Sequence, residues 1–259
     1  VGVHYVGQVH DEKSILRKAF DYLSGDKLKW ADMGDVYDKA IFGDDKYEFR
    51  AGYDNQVAQL ISYFPEEEKA IRSYFKLLQK VSVKSIMFFS ERTMPMWLSR
   101  TAGYFLRKGF QKYASKTTYE VIRSFTSNEK LIALLCAQCG NYGLPPKKSC
   151  FGVHAMIIDH FIEGGNYPVG GASSIHRTFI DTLIRHNGKI AIKAPVKKIL
   201  IKNNQAIGVE MENGDYIYSK KIISNAGVHN TYHRLIENSE RELTKLDEVI
   251  PSVSHVCLY

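Results

Sequence analysis

Hydrophobic and polar residues alternate along most of the chain with the period of an amphipathic helix. This spacing predicts helices over Lys13–Leu23 and Asn55–Tyr63, and a third helix that begins at Pro65. Between them the pattern changes to the spacing of strands. Tyr37–Phe42 and Lys46–Arg50, joined by a short turn that contains glycine, therefore predict a β-hairpin.

The second half of the chain combines a glycine pair, a helix and a run of strands. Gly170 and Gly171 lack Cβ atoms, so their backbone can adopt a positive φ or approach a ligand closely. An amphipathic helix is predicted after them, with its end marked by Gly188. Strands are predicted over Lys189–Ala194 and Val196–Lys202. The apolar face of the predicted helix comprises Ala172, Ile175, Phe179, Ile180, Leu183 and Ile184.

Two further signals follow these strands. The dipeptide Asn213-Gly214 is typical of the type I′ turn of a hairpin. A later strand is predicted to end at Ser224-Asn225-Ala226-Gly227. Because helices dominate up to about Phe161 and short strands follow a single helix after it, the sequence predicts an α+β fold.

The composition is that of a folded protein with a positive net charge. The chain has 259 residues, 44% of them hydrophobic and 24% charged, which suffices for one large core or two domains. Its 35 Lys and Arg against 28 Asp and Glu give a net charge of +7, which suits an anionic partner such as a membrane or a nucleic acid. No nucleic-acid motif accompanies the charge, so we expect no nucleic-acid partner. No secretory signal, lipidation motif or membrane-spanning apolar run is present, and we expect a cytoplasmic or peripheral-membrane location.

Residues 92–119 differ from the rest of the chain in charge. They contain six Lys and Arg and no acidic residue, interleaved with Met, Trp, Tyr, Phe and Leu. This composition is typical of a helix that lies on a membrane surface. It is also typical of two partly buried helices whose Lys and Arg side chains reach solvent. The sequence leaves both interpretations open.

The cysteines raise the question of a metal site. Cys136, Cys139, Cys150 and His154 would supply three thiolates and an imidazole, which Zn²⁺ accepts. However, the first two lie within Glu129–Gly140, whose dense apolar pattern predicts a buried helix, and no second close pair of cysteines exists. Core thiols are therefore favoured, and we expect no metal.

Several ordered motifs resemble those of one family of flavoproteins. These motifs are Gly2–Gly7, with the pattern G-x-H-Y-V-G, Phe64–Glu68, Ala114–Thr118, Tyr142–Pro146 and Tyr167–Ser173. As a set they resemble the phytoene desaturases, carotenoid isomerases and retinol saturases, which are distant relatives of the amine oxidases. The last motif points to the retinol saturase branch.

The resemblance implies a division into domains. Residues 1–10 would be a remnant of an FAD-binding, glutathione-reductase-like domain, and residues 11–163 a mainly helical substrate-binding domain with the hairpin near 37–50. Residues 164–236 would return to the FAD-binding domain, and residues 237–259 would begin a return to the substrate domain.

The nucleotide-binding segment of such an enzyme is not in this sequence. No G-x-G-x-x-G follows an N-terminal strand, as a dinucleotide-binding fold requires. The chain also starts at Val1 and ends inside an apolar stretch. We expect an internal segment of a longer enzyme that is inactive alone.

The resemblance implies a reaction and a set of site residues. The reaction would be hydride transfer between FAD and a double bond of a retinoid or carotenoid polyene, with NAD(P)H as an expected electron donor. The residues expected to contact the flavin are Gly2, Val3, His4, Tyr5 and Val196. Those expected to contact the substrate are Gly170, Gly171 and Tyr142.

Saturation of a double bond also needs a proton. His4, His154 and Tyr167 lie in or beside the family motifs, and each carries a group that can donate one. One of the three is therefore the expected donor. Cys139 and Asn141 stand where the saturase motif has a tryptophan and an aspartate, which leaves saturation, desaturation and isomerisation open.

Two other functions fit the same residues. The enzyme could be a carotenoid isomerase or desaturase. Alternatively, the basic apolar segment at 92–119 is typical of a non-catalytic lipid-binding or membrane-interaction module.

Overall fold

A computed structural model of the protein describes residues 5–237, together with 246 and 248. Its contacts divide these residues into two compact units, with the boundary between His186 and Asn187. The first unit contains, in chain order, α1 (Ile15–Ser24), β1 (Trp30–Asp32), β2 (Val36–Phe42), β3 (Asp45–Arg50), α2 (Tyr53–Tyr63), α3 (Glu68–Ser90), α4 (Met96–Ala114), α5 (Thr118–Arg123), α6 (Glu129–Leu135), α7 (Phe151–Phe161), β4 (Asn166–Pro168) and α8 (Ser173–Arg185). The second contains β5 (Val196–Lys202), β6 (Gln205–Met211), β7 (Tyr216–Tyr218) and the one-turn helix α9 (Val228–Asn230), which is followed by a π turn over Thr231–Leu235.

The core of the first unit lies where α3 and α7 pack against each other and against the neighbouring helices. Ile71 and Val81 of α3, Ile122 of α5, Leu131 of α6 and Phe151 of α7 are fully buried there. Each such side chain contributes roughly 1.5–3 kcal/mol through its removal from water. The core therefore accounts for the helical periodicity of the first half of the chain.

Side-chain caps set several helix ends. Thr117 and Glu120 form a capping box at the start of α5. The Asn128 side chain accepts the N–H groups of Lys130 and Leu131 at the start of α6. The single helix predicted over Glu129–Gly140 is wrong in extent, because α6 ends at Leu135 and a 3₁₀ turn follows.

The predicted hairpin of the first unit is confirmed. β2 and β3 pair antiparallel, with Phe42 opposite Asp45 across a two-residue turn. A second pairing was not predicted: β1 runs antiparallel to β4, with Trp30 opposite Pro168. Within the described residues no helix is long and apolar enough to cross a bilayer.

The second unit corrects three predictions made from the sequence. β5 forms over Val196–Lys202 as predicted. However, Lys189–Ala194 forms no strand, and no strand ends at Ser224–Gly227, because the last strand before it, β7, ends at Tyr218. The turn with positive φ at both central residues is Asn203-Asn204, at 49° and 61°, rather than Asn213-Gly214. Asn213 does not have a positive φ, and only Gly214 does, at 90°. The Asn-Gly pair therefore forms a turn of a different type.

The helix after the glycine pair forms, but its apolar face is only partly covered. Phe179 packs on Phe20 of α1, with 6.1 Å between the ring centroids. Leu183 and Ile184 remain exposed, and Asn187, at φ 60°, takes the left-handed position expected of Gly188. The fold is thus the predicted mixture of helices and small sheets. The assignment of its parts to FAD-binding and substrate-binding domains stays a prediction.

Candidate functional site

The last residues of the first family motif are built into the first unit. Val6 pairs with Asn166 at the start of β4, through backbone hydrogen bonds of 2.8 and 2.9 Å. The backbone N–H of Gly7 donates to Nε2 of His160, 3.0 Å away. Burial lowers the pKa of His160, which favours the neutral ring that can accept this bond. Gly2, Val3 and His4 lie outside the described residues.

Tyr5 lies beside a buried polar cluster. Its hydroxyl donates to Oδ2 of Asp38 at 2.6 Å and accepts a hydrogen bond of 3.3 Å from Nε2 of Gln138. Its ring packs edge-on against Phe161, 4.8 Å between centroids. Burial and the Asp38 carboxylate raise the pKa of Tyr5, so its side chain stays protonated. The side chain of Tyr5 therefore stabilises the fold, and its predicted contact with a flavin stays a prediction.

This cluster gives a stability prediction. The change Tyr5→Phe keeps the ring contact but removes the donor to Asp38, and should lower the free energy of unfolding by about 1–2 kcal/mol. Chemical denaturation measures the change. The control is Tyr22→Phe in α1, where the side chain is exposed and little effect is expected. Equal stability of both variants would contradict a hydrogen-bonding role for Tyr5.

His154, a predicted proton donor, lies in the middle of α7 with no exposed surface. The hydroxyl of Tyr74 is 2.7 Å from its Nε2, and that of Tyr142 is 3.1 Å from its Nδ1. A neutral imidazole suits two hydroxyls, because one ring nitrogen donates and the other accepts. Burial lowers the pKa of His154 to about 3, so the ring is neutral near pH 7.

Tyr142, a predicted substrate contact, directs its hydroxyl into the same buried cluster. Nearby, the Ser149 hydroxyl donates to the Thr118 hydroxyl at 2.8 Å. Burial raises the pKa of Tyr142. The polar end of Tyr142 therefore faces the core, which leaves only part of its ring for a ligand.

Sequence reasoning missed the partners of these residues. Asp38 and Gln138 belong to a strand and a 3₁₀ turn that are 100 positions apart. Tyr74 belongs to an apolar helix face whose other members are ordinary core residues. A polar residue on such a face was the only available signal, and it does not identify a partner.

The glycine pair adopts the conformation expected of it. Gly170 and Gly171 both have φ of 84°, which an L-side chain rarely adopts. Apart from Gly171 and its chain neighbours, no atom of the described residues lies within 4 Å of the place where a Cβ on Gly171 would stand, so the backbone there is accessible. The loop is held to the first turn of α8, where the Ser174 hydroxyl donates to the carbonyl of Val169 at 2.8 Å.

Two other predicted residues belong to strands. Tyr167 is in β4, paired with Ala31, and is 37% exposed. Val196 begins β5 in the second unit, opposite Met211, and is also 37% exposed. Of the predicted site residues, the structure therefore brings together His154 and Tyr142.

The cysteines form no metal centre in the part of the chain that the structure describes. No group of three or more His, Cys, Asp or Glu side chains is placed there to hold an ion. Burial raises the pKa of Cys136 to about 12, which keeps its thiol protonated. Both ring nitrogens of His154, the fourth candidate ligand, form hydrogen bonds with tyrosine hydroxyls.

Comparison with known proteins identifies relatives along almost the whole chain. An all-trans-retinol 13,14-reductase from Danio rerio is 29% identical over 267 residues, which are 98% of this chain and 44% of that protein. A prolycopene isomerase from an Oncidium hybrid is 29% identical over 194 residues, 71% of this chain and 32% of the isomerase. The chain is homologous to these reductases and isomerases.

The homologues include a protein without the activity. A second Danio rerio relative, named an inactive all-trans-retinol 13,14-reductase, is 32% identical over 91% of this chain and 40% of its own length. The chain thus spans less than half the length of the relatives it matches. No family model matches it. An oxidoreductase from Methanosarcina mazei has a similar fold, with a TM-score of 0.56, 16% identity and coverage of 95% of this chain and 52% of that one.

Proposed function

We propose that this chain is part of an FAD-dependent oxidoreductase that transfers hydride between the flavin and a double bond of a retinoid or carotenoid. The observation that carries the proposal is the similarity to all-trans-retinol 13,14-reductases over 98% of the chain. The conjugated substrate lacks a polarisable carbonyl in the reacting segment, so the reaction needs no nucleophile or oxyanion hole. This agrees with a site made mostly of backbone groups, apolar side chains and buried tyrosines.

The described residues fit a flavin site in one respect, because two of the proposed contact positions are accessible. Val196 stands partly exposed at the start of β5, and Gly171 has open space where a side chain would be. Gly2, Val3, His4, Tyr5 and Val196 would hold the cofactor, mainly through backbone groups, with Gly170, Gly171 and the ring of Tyr142 beside the substrate. When bound, the flavin supplies or accepts the hydride.

The proton for saturation is proposed to come from Tyr167 or His4. Addition of hydride to one carbon of a double bond leaves an electron pair on the other carbon. A protonated side chain then donates its proton to that second carbon, which gives the saturated product. His154 is less suited to direct donation, because it is fully enclosed and neutral near pH 7. Its proposed part is to orient Tyr142.

The full-length protein tests the reaction. Anaerobic incubation of the enzyme, reduced through NAD(P)H, with all-trans-retinol should give a product two hydrogens heavier by mass spectrometry. A product of unchanged mass with altered double-bond geometry would support an isomerase instead, and loss of two hydrogens a desaturase. Absence of bound flavin from the folded protein, with retinoid binding retained, would support a lipid-binding module.

The donor is tested by substitution in the same protein. Tyr167→Phe or His4→Gln should lower the rate of saturation about a hundredfold, the usual effect of losing a general acid. Flavin absorbance and retinoid affinity should remain near normal. Unchanged turnover in both variants would contradict the proposed donor pair.

A further inference from the structure

The helices α3 and α4 form an antiparallel hairpin whose inner faces are packed. Phe88 of α3 meets Phe110 of α4, with 5.0 Å between ring centroids. Closer to the turn, the carboxylate of Glu91 accepts a 2.7 Å bond from Arg107 and another from the hydroxyl of Ser99. These contacts fix which faces of the two helices point outward.

The outward side near the turn is apolar. Trp97 is 69% exposed and Phe105 75% exposed. Trp97, Tyr104 and Phe105 are spaced by seven and one positions, which places them on one face of α4. We call the exposed apolar side chains of α3 and α4 near the turn the apolar tip. Its exposed members are Val83, Ile86, Met87, Phe89, Met96, Trp97, Tyr104 and Phe105.

Next to the apolar tip, the same two helices form a basic groove. Lys80 and Lys84 of α3 and Lys108 and Lys112 of α4 line a space of about 360 Å³, with no acidic side chain among its walls. Phe105 lines it too, so the groove and the apolar tip are continuous. The lysines therefore lie further from the turn than most of the apolar side chains, on both helices.

The charge of this region is large and unbalanced. Residues 69–119 contain eleven Lys and Arg but one acidic residue, Glu91. Glu91 is buried and paired with Arg107. The excess of ten positive charges exceeds the net charge of +7 of the whole chain. The rest of the protein is thus slightly acidic in sum, and the positive charge is concentrated in this region, although Arg72 is paired with Glu68 at the start of α3.

We propose that the α3–α4 hairpin binds a membrane surface that carries anionic phospholipid. The apolar tip inserts at the boundary between headgroups and acyl chains, and the lysines of the basic groove bind the lipid phosphates. Exposed aromatic and aliphatic side chains beside a row of lysines match both layers of such a surface. A nucleic acid would satisfy the lysines but would leave side chains such as Ile86 and Met87 in water. A second copy of the hairpin, docked on the same surface, would bring its lysines close to these lysines, and like charges repel.

The binding needs neither flavin nor substrate, so it is tested independently of the proposed reaction. Flotation of the purified protein should show partition into vesicles of phosphatidylcholine with 30 mol% phosphatidylserine, and much less into pure phosphatidylcholine. The double variant Lys84→Glu/Lys108→Glu should weaken partition on the order of a hundredfold, since each basic residue near an anionic surface has an effect of several-fold. The control variant Lys189→Glu/Lys221→Glu makes the same charge change at exposed lysines of the second unit and should have little effect.

Tryptophan fluorescence tests the apolar tip separately. The chain has two tryptophans, and Trp30 is partly buried against Phe20. Vesicle binding should shift the emission to shorter wavelength. The shift should vanish in Trp97→Phe, which still binds, and persist in Trp30→Phe.

Four results would overturn the proposal. They are the absence of binding to anionic vesicles, equal binding to neutral ones, equal loss in the two double variants, and an emission shift that survives Trp97→Phe. Binding of a duplex oligonucleotide that depends on Lys84 and Lys108, with no vesicle binding, would assign the groove to a nucleic acid instead.

Discussion

Replacing Gly7 with alanine is expected to lower the free energy of unfolding by about 3 kcal/mol, the upper range for forcing an atom into packed structure. A Cβ on Gly7 would stand 1.8 Å from the carbonyl oxygen of His160 and 2.7 Å from its carbonyl carbon. Both are backbone atoms, so no side-chain rotation relieves the overlap. The chain could make room only by breaking the bonds that hold Gly7 to His160 and Val6 to Asn166.

Thermal unfolding followed by circular dichroism measures this change, with a drop of roughly 10 °C in Tm expected. Gly140→Ala is the matched control, because no atom lies within 4 Å of where its Cβ would be. Similar Tm values for the two variants would contradict a close backbone approach at Gly7.

Acid is expected to destabilise the protein through His154. The unfolded chain binds a proton at this ring near pH 6.5, whereas burial lowers the pKa of the folded state to about 3. Between those values the unfolded state binds more protons, so stability falls as pH falls. His154 alone should remove about 4–5 kcal/mol between pH 7 and pH 3, provided that Tyr74 and Tyr142 keep it enclosed. Burial of His160 acts with the same sign.

Urea denaturation at a series of pH values measures the slope. In His154→Asn the slope between pH 6 and pH 4 should flatten, although stability at pH 7 falls because two tyrosines lose their partner. His10→Asn, which removes an exposed ring, is the matched control. Titration of the histidine ring signals by NMR gives the pKa of the folded wild type directly. A normal value for His154 would contradict the enclosed neutral ring.

Local periodicity was enough to predict the elements of the fold that are stabilised by their own residues. The helix predicted over Lys13–Leu23 forms at Ile15–Ser24, and β5 has the predicted bounds. In both, the apolar spacing along a continuous segment predicts the type of element, although it does not predict burial in α1, where Ile15 and Leu23 are exposed. The same logic failed for Lys189–Ala194, where Ile190 and Ile192 are exposed and no neighbouring strand supplies hydrogen bonds in the described residues.

Contacts between distant segments could not be predicted. β1 has three residues and pairs with β4, so its signal in the sequence is too short to recognise. The partners Tyr74 and His154 are 80 positions apart, and each looks like a core residue of its own helix. Prediction of the candidate site depended on family motifs, which located Tyr142 and His154 but not the direction of their polar atoms.

The pairing of residues 5–9 with the segment near β4 has a consequence for synthesis. Val6 and Gly7 can form their hydrogen bonds only after Asn166 and His160 have been synthesised, about 155 residues later. At roughly 5–20 residues per second the ribosome needs on the order of 8–30 seconds to supply those partners. Until then the backbone groups of Val6 and Gly7 lack these partners, and chaperones can bind the segment in their place.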